Sequence, residues 1–305
     1  MIGMYAHHSG SGHLHRVRAI RAHLTDDAEI LSSAPGADVP LPLDVGDATP
    51  DDPTAGGTLH WAPTNVEGLT TRMAAVAEWI ERHWPSVFYV DVSVEIAAFV
   101  RLLGIPVVTL AMPGIRDDAP HQLGYAQASA IIAAWPDWVP LPAHLSAHAE
   151  RVHAVGGISR LSPAPGVART GETVILRGAG GDDFAERQWP EATILGGENH
   201  VDDPTPYLQR AGLVIAAAGQ NSVADLAATG TPAILLPQDR PFDEQHATAR
   251  VLREAGIAVV PEHFPQPDEW AELGSLARER AGQWARWQTD GSARRAARVI
   301  EEVAR

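Results

Sequence analysis

Residues 216–245, AAAGQNSVADLAATGTPAILLPQDRPFDEQ, contain a predicted strand end, a glycine turn, a polar helix start and a second strand. The apolar run at 213–217 predicts a buried parallel strand, and Gly219 supplies the turn after it. Asn221 or Ser222 is suited to cap the helix that follows. A strand, a tight turn and a helix in this order are typical of parallel α/β sheets.

The start of this helix is a candidate anion site. The first amides of a helix have no partner within the helix, and the helix dipole adds positive potential there. The diphosphate of an activated sugar is a small anion of suitable shape for such a site. The same turn also occurs as a purely structural element, so the stretch alone leaves both interpretations open.

Composition limits the partners and the chemistry. The 305 residues carry 38 acidic and 23 basic side chains, and the formal charge of −15 argues against nucleic acid as a partner. Every basic residue is an arginine, which excludes a Schiff-base lysine. The absence of cysteine excludes disulfides and thiol chemistry and fits a cytoplasmic protein. The apolar runs are strand-sized, so we expect no transmembrane segment, although peripheral membrane contact stays possible.

Strand and helix patterns alternate along the whole chain. The first half predicts strands at 2–6, 87–92, 105–110 and 131–134, helices at 13–24, 66–80 and 93–103, and a long loop at 34–63. The strand at 131–134 is expected to be the last of that half. The second half predicts strands at 173–177, 192–195, 213–217, 233–237 and 257–260, and a final helix at 292–304.

This alternation and the chain length predict two Rossmann-like, doubly wound α/β domains that face each other across a cleft. We place them at residues 1–157 and 158–305, with the final helix packing back on the first domain. Ligands of open α/β sheets bind beyond the carboxyl ends of the strands, so polar residues after each strand are candidates for the site. In the first half they are Ser11, Gly12, His13, Asp91, Arg116, Asp117 and His121. In the second half they are Gly178, Gly180, Val201, Gly219, Gln220, Asn221, Ser222, Asp225, Gln238, Glu244 and Gln245.

The stretch GQNSVADLAATGTPAILLPQ resembles the donor-site signature of glycosyltransferases with the two-domain GT-B fold, including the MurG-like and the plant and macrolide UDP-sugar transferases. The resemblance implies that the turn from Gly219 to Ser222, with the glycine loop at 178–181, holds the diphosphate. It also implies that Asp225 binds the ribose hydroxyls and that the backbone of Val201 contacts the nucleobase. The pair Glu244 and Gln245 stands where the family binds the donor sugar.

The sequence SGSGH at 9–13 resembles the glycine turn that precedes the base of this family. The resemblance implies that His13 deprotonates the acceptor hydroxyl or binds a phosphate of the acceptor, and that Asp91 orients it. A histidine at a helix N-terminus is kept neutral by the helix dipole, as a base must be. Helix capping is the structural alternative for both residues. Arg116, Asp117 and His121 are expected on the acceptor side.

Two departures from the family pattern are visible. Ala217 stands where plant-type members have a phosphate-binding histidine, so Arg177 or Arg160 is expected to supply that contact. Asp225 stands in place of the usual glutamate. Several histidines crowd the first turn, but the family needs no metal and no carboxylate lies nearby in sequence, so we expect neither a metal nor a cofactor.

The resemblance predicts a glycosyltransferase that moves a hexose-type sugar from a UDP- or dTDP-sugar to a hydroxyl acceptor of unknown class, with inversion. The sequence GSGHLHR is also similar to the GxGHxxR turn of nucleotide-sugar hydrolases, in which His13 would activate water. A nucleotide-sugar 2-epimerase and a non-catalytic protein that binds a nucleotide sugar are further alternatives.

Overall fold

The computed structural model describes residues 1–8, 10–46, 49–161, 167–178, 187–201 and 203–305. Within these ranges the chain forms two parallel sheets covered by helices, as the alternating pattern predicts. The first sheet lies in residues 2–154 and the second in residues 173–235. The α/β class with two Rossmann-like halves is therefore confirmed.

The first sheet contains seven described strands. They are β1 (Ile2–Ala6), β2 (Ala28–Ser32), β3 (Val39–Pro40), β4 (Val87–Asp91), β5 (Val107–Ala111), β6 (Ala130–Ala133) and β7 (Val152–Ala154). Their order is β3-β2-β1-β4-β5-β6-β7, with parallel pairing throughout. The helices are α1 (Ser11–Arg21), α2 (Glu67–His83), α3 (Val94–Leu102) and α4 (Ala119–Gln127), followed by a 3-10 helix at Ala143–Arg151.

The second sheet contains four described strands in the order β11-β10-β8-β9, also parallel. They are β8 (Thr173–Leu176), β9 (Thr193–Leu195), β10 (Leu213–Ala216) and β11 (Ala233–Leu235). The helices are α5 (Thr205–Arg210), α6 (Gln220–Thr229), α7 (Glu244–Glu254), α8 (Trp270–Arg280) and α9 (Ser292–Ala304). Two 3-10 helices, Pro241–Asp243 and Ala281–Trp287, complete this half.

Strands β1, β4 and β5 are buried along their whole length because helices cover both faces of the first sheet. Side chains alternate between the faces, so Met4 joins the core beneath α1 while Tyr5 joins the core beneath α2 and α3. Helix α9 belongs to the first of these cores, since Ala296 and Ile300 pack with Val17 of α1. The end of the chain thus packs on the first sheet.

Each sheet has a point where the chain reverses its direction of winding. In the first sheet this point lies between β1 and β4, and in the second it lies between β8 and β10. The connections on either side of such a point leave in opposite directions, which opens a crevice at the carboxyl ends of the two strands. Two crevices of this kind position the candidate site.

The strand predictions differ from the structure at four places, one of which is the two-residue strand β3 within the loop predicted at 34–63. Strand β2 was not predicted, because AEILS at 28–32 is short and carries a charge within it. The strand at 130–133 is not the last of its sheet, since the three-residue β7 pairs beyond it. No regular strand forms at 257–260, where a single parallel bridge joins Val259 to Ile234.

The predicted cap of α6 is also wrong. The helix begins at Gln220, its N-cap residue is Gly219, and no side chain forms a capping hydrogen bond. Asn221 and Ser222 therefore lie in the first turn of the helix. Their side chains do not cap α6, and the first amides of α6 have no partner within the helix.

Candidate active site

The N-termini of α1 and α6 meet where the two halves face each other. Gly12, in the first turn of α1, lies so close to Asn221 that a methyl group at Gly12 would overlap the side-chain amide of Asn221. The two crevices therefore share one site. A side chain at Gly12 would therefore displace the amide of Asn221 from its place between the helices.

His13 and Asp91 form a hydrogen-bonded pair within this site. The Nδ1 atom of His13 lies 2.7 Å from Oδ1 of Asp91, which is fully buried at the end of β4. An ionised carboxylate only accepts hydrogen bonds, so Nδ1 carries the proton and donates it. The Nε2 atom of the neutral ring is then left with a lone pair that can accept a proton. The capping alternative for Asp91 is wrong, because Ser93 caps α3.

Arg16, one turn after His13 on α1, is the partner that the sequence analysis missed. Its Nε and Nη2 donate to the two carboxylate oxygens of Asp91 at 2.8 and 3.0 Å. Burial opposes ionisation of Asp91, but the Arg16 guanidinium and the bonds from His13 and Arg16 outweigh it and hold the pKa of Asp91 well below its usual range. The carboxylate thus stays charged at neutral pH.

Arg16 also crosses to the second half. Its Nη1 donates to Oε1 of Gln220 at 2.7 Å and lies 3.5 Å from Oδ1 of Asn221. Both partners belong to the first turn of α6. A single buried guanidinium therefore joins the His13–Asp91 pair to the helix start that is the candidate diphosphate site.

A cavity of about 430 Å³ opens beside His13 in the first half. We name it the first-half cavity. His13, Trp61, Leu69, Met73, Arg116 and Phe242 are among its lining residues. Because Phe242 comes from the second half, both halves close the cavity. A volume in this range accommodates a small organic ligand.

A second contact between the halves lies at the rim of the first-half cavity. The backbone amide of Ile115 donates to the carbonyl of Phe242 at 2.7 Å, and Gly114 packs against the same carbonyl. The Nη2 atom of Arg116 lies 3.3 Å from Oε2 of Glu244. The predicted sugar-binding carboxylate is thus paired with a predicted acceptor-side arginine.

Gln245, the other member of the predicted sugar-binding pair, is buried. Its Oε1 accepts from the backbone amide of Gln238 at 2.9 Å, and Oε1 of Gln238 accepts from Arg240. These bonds tie the loop after β11 to the start of α7. The side-chain nitrogen of Gln245 remains available to donate to a hydroxyl.

His60, Asp118 and His121 form a cluster that was not predicted, and they lie close enough to hold a metal ion. Arg116 donates to Nε2 of His121 at 3.0 Å, which requires Nδ1 to carry the ring proton and to donate it to Asp118 at 2.8 Å. Burial, together with the positive charge of Arg116, lowers the pKa of His121 to about 4 against the opposing effect of Asp118. Hydrogen bonds therefore account for Asp118 and His121 without a cation, whereas Nε2 of His60 lies 3.4 Å from Oδ1 of Asp118 and has no hydrogen-bond partner among the described residues.

Other predicted residues lie elsewhere. Asp117 is exposed and does not line the first-half cavity, since the neighbouring Asp118 contacts His121 instead. Asp225 is mostly buried. Its Oδ1 accepts a hydrogen bond from Ser159 at 2.6 Å, and its Oδ2 lies 4.0 Å from Nε of Arg160. The predicted ribose would therefore compete with these two side chains for the carboxylate. Burial raises the pKa of Asp225.

The remaining donor-side predictions fall at the second crevice. Gly178 lines a small cavity beside β8 and β10 together with Ala217 and Gln238. Val201 is half-buried against the core of the second half. Gly180 and the side chain of Ser11 lie outside the described residues.

The comparisons with known proteins agree with this geometry. Residues 139–263 match the sequence model of the glycosyltransferase family 28 C-terminal domain. A UDP-N-acetylglucosamine–N-acetylmuramyl-(pentapeptide) pyrophosphoryl-undecaprenol N-acetylglucosamine transferase of Synechococcus sp. (strain CC9902) is 33% identical over 171 residues. That alignment covers 53% of this chain and 46% of the relative, so the chain matches less than half of the length of this relative.

Solved structures match over nearly the whole chain. Acinetobacter baumannii MurG has a TM-score of 0.65 at 14% identity, with 99% of each chain covered. The glycotransferase of kitacinnamycin has a TM-score of 0.63 at 16% identity, covering 99% of this chain and 98% of that one. The GT-B fold is thereby confirmed, while the family model matches residues 139–263. The helices in the described ranges are all too short or too polar to span a membrane.

Proposed function

We propose that this chain, whose residues 139–263 belong to the glycosyltransferase family 28 C-terminal domain, transfers a sugar from a nucleotide diphosphate to a hydroxyl acceptor. The observation that carries the proposal is the junction of His13, Asp91 and Arg16 with the start of α6. This junction supports the proposal because it joins a histidine to the N-terminus of α6, with a ligand-sized cavity on the same side. A transfer reaction requires these three parts.

His13 is the base in this proposal. Nε2 takes the proton of the acceptor hydroxyl as its oxygen attacks the anomeric carbon, and Asp91 stabilises the imidazolium that forms. The bond from the anomeric carbon to the diphosphate oxygen breaks, and the electron pair leaves with the diphosphate. The first amides of α6 face that developing charge. A single displacement of this kind inverts the anomeric carbon.

The donor is a UDP- or dTDP-sugar of the hexose type. The name of the Synechococcus relative contains UDP-N-acetylglucosamine, so this is the first donor to test. Glu244 and the free nitrogen of Gln245 are proposed to bind the sugar hydroxyls, and Arg116 holds the carboxylate of Glu244 in place. Asp225 reaches the ribose only if it exchanges Ser159 for a hydroxyl group. Neither a metal nor a cofactor is required by this mechanism.

Transfer is favoured over hydrolysis by the wall beside His13. Leu69, Met73 and Met112 line the first-half cavity, and an apolar wall holds an organic acceptor better than an ordered water. The hydrolase similarity nevertheless includes Arg16, which has the same positioning contact in either reaction. The contact of Arg16 therefore does not distinguish sugar transfer from hydrolysis, and an activity assay is needed to separate them.

The test measures release of nucleoside diphosphate from UDP-N-acetylglucosamine and other UDP- and dTDP-sugars, with and without a pool of hydroxyl acceptors. We expect release to rise with acceptor and to be lost in His13→Ala. His23→Ala, an exposed position beyond α1, serves as the matched control and should behave as the wild type. Release that yields free sugar without acceptor would indicate the hydrolase. Donor binding without turnover, equal in both variants, would indicate a binding protein.

A further inference from the structure

We propose that the acceptor is an uncharged, compact molecule with a largely apolar ring body and a hydroxyl group, and that it occupies the first-half cavity. This inference rests on the proposed function and specifies its second substrate. It separates this chain from an enzyme whose acceptor is anchored through a charged diphosphate.

The size of the first-half cavity limits the acceptor. Its volume is about 430 Å³. Since a cavity of about 150 Å³ accommodates benzene, this volume fits roughly two or three six-membered rings. A long chain or a large glycan would have to remain outside it.

The lining of the first-half cavity is predominantly apolar. The side chains that provide this surface include Trp61, Leu69, Met73, Val94, Met112 and Phe242. Tryptophan and phenylalanine offer flat faces on which rings stack, and methionine adapts to irregular ligands. Arg116 lies 4.6 Å from the ring centre of Phe242 and holds this face at the border with the second half.

The arginines that line the first-half cavity are engaged by the protein. Arg72 donates to Tyr5, Ser33 and the carbonyl of Pro42, and it pairs with Asp44 at 3.3 Å. Arg116 donates to the carbonyl of Pro113 and to His121, and it pairs with Glu244. Among the described lining residues, no arginine is therefore free to bind a phosphate or carboxylate.

The carboxylates of the lining are engaged as well. Glu95 accepts from the backbone amides of His60 and Trp61 at 2.7 and 3.0 Å, and Ser93 donates to its other oxygen. Asp44 is paired with Arg72. With these groups engaged, a charged acceptor would lose its hydration and find only the histidines of the lining as polar partners, which is costly in a buried site. The described lining therefore favours a neutral ligand.

The position of the reacting group follows from the geometry. His13 lines the first-half cavity, and Gly12 beside it contacts Asn221 of the donor helix. The acceptor hydroxyl must therefore lie at the end of the ligand nearest to α1. The ring body extends toward Leu69 and Met73, away from the donor.

The test uses a matched pair of ligands, 2-naphthol and 6-hydroxy-2-naphthoate, which share the ring body and hydroxyl but differ by one carboxylate. Binding is measured by calorimetry on the intact protein without donor, so that the readout does not depend on catalysis. We expect 2-naphthol to bind at least about 30-fold more tightly, because the carboxylate enters without a partner. Equal or tighter binding of the naphthoate would overturn the proposal.

Two variants locate the ligand. Met73→Trp fills the first-half cavity and should weaken 2-naphthol binding at least about 10-fold while UDP binding is unchanged. Leu102→Trp, on the exposed surface of α3, is the control and should change neither. If Met73→Trp does not fold, Leu69→Phe gives the same test from a half-buried position. Unchanged naphthol binding in a folded cavity variant would contradict the site.

The outcomes separate this inference from the proposed function. Sugar transfer to a lipid-linked diphosphate, with no transfer to 2-naphthol, would refute the acceptor class and leave the glycosyltransferase intact. Binding of 2-naphthol without binding or turnover of any nucleotide sugar would refute the glycosyltransferase. Transfer to 2-naphthol that is lost in Met73→Trp supports both.

Discussion

The guanidinium of Arg16 forms a two-point ion pair with the carboxylate of Asp91, at 2.8 and 3.0 Å, and both groups are buried. This pair lies beneath His13 and links it to the donor half. Its arrangement explains how a carboxylate with no solvent exposure remains ionised in the core of a protein whose net charge is −15. Without the arginine, the buried charge would be unsupported.

Removal of the Arg16 charge should therefore destabilise the protein strongly. We expect Arg16→Gln to lower the free energy of unfolding by roughly 3–5 kcal/mol, because it leaves Asp91 without its cation. Arg16→Lys keeps the charge but not the two-point geometry, so it should cost less. Denaturant unfolding of both variants checks this order. Equal stability of Arg16→Gln and wild type would show that the pair does not support the fold.

Asp91→Asn tests the tautomer of His13. The asparagine amide can donate to Nδ1, which moves the ring proton to Nε2 and removes the base. We expect kcat for sugar transfer to fall by about 10²–10⁴-fold with little change in donor KM. Tyr89→Phe removes only the hydroxyl that lies 3.3 Å from Asp91, and it should retain most of the activity. Similar rates in both variants would argue against His13 as the base.

His13 and Asp91 could be predicted because His13 lies shortly after β1 and Asp91 is the last residue of β4. These two strands flank the point where the first sheet reverses its winding. Sequence spacing does not specify partners across a cleft. Helical spacing could have identified Arg16 as a member of the site, because it lies three residues after His13 and thus on the same face of α1. Its contact with Gln220 joins residues 204 positions apart and depends on how the halves dock.

Asp117 and Asp225 show the limits of the same reasoning. Two adjacent aspartates precede α4, and the sequence does not distinguish which one caps the helix and contacts His121. Asp225 matches a family position, but its bond to Ser159 is made by a residue from the connection between the halves. Carboxylates in α/β loops have several possible donors, and packing decides among them. The short strand β2 was not predicted for a related reason: pairing with the neighbouring strand β1 stabilises it more than its own sequence does.

Gly114→Ala tests the second contact between the halves. A methyl group at Gly114 would overlap the carbonyl of Phe242, and the φ angle of +100° adds strain. The displaced loop should release Glu244 from Arg116 and raise the donor KM by about 3–10-fold. Gly104→Ala is the matched control, because Gly104 has φ of +84° but open space around it. If both variants raise KM equally, strain and not the contact is responsible.

We expect that the cluster of His60, Asp118 and His121 holds no metal that sugar transfer requires. We expect sugar transfer to be unchanged after dialysis against a chelator, because Arg116 already donates to Nε2 of His121 and a cation would be placed beside another cation. Activity measured before and after re-addition of Zn²⁺, Mn²⁺ or Mg²⁺ checks this. Loss on dialysis and recovery with one ion would establish a metal site, and His60→Ala would then abolish the recovery.

The pH dependence of stability follows from the same cluster. Burial lowers the pKa of His121 to about 4, from 6.5 in an exposed histidine. The unfolded chain therefore binds a proton between these values that the folded chain does not, so the free energy of unfolding falls as the pH is lowered from about 6.5 to about 4. One such histidine therefore lowers the free energy of unfolding by roughly 3 kcal/mol as the pH falls from 6.5 to 4, and this loss of stability is absent above pH 6.5.

Substitution of His121 should therefore flatten the profile. We expect His121→Gln to lose less stability than the wild type between pH 6.5 and pH 4, as measured by urea unfolding at intervals of half a pH unit. The His121→Gln variant should still lose some stability over this range because of His7. Burial also lowers the pKa of His7 to about 4. His23→Gln, at an exposed position, should follow the wild-type profile. A His121→Gln profile parallel to that of the wild type would show that His121 does not titrate in this window.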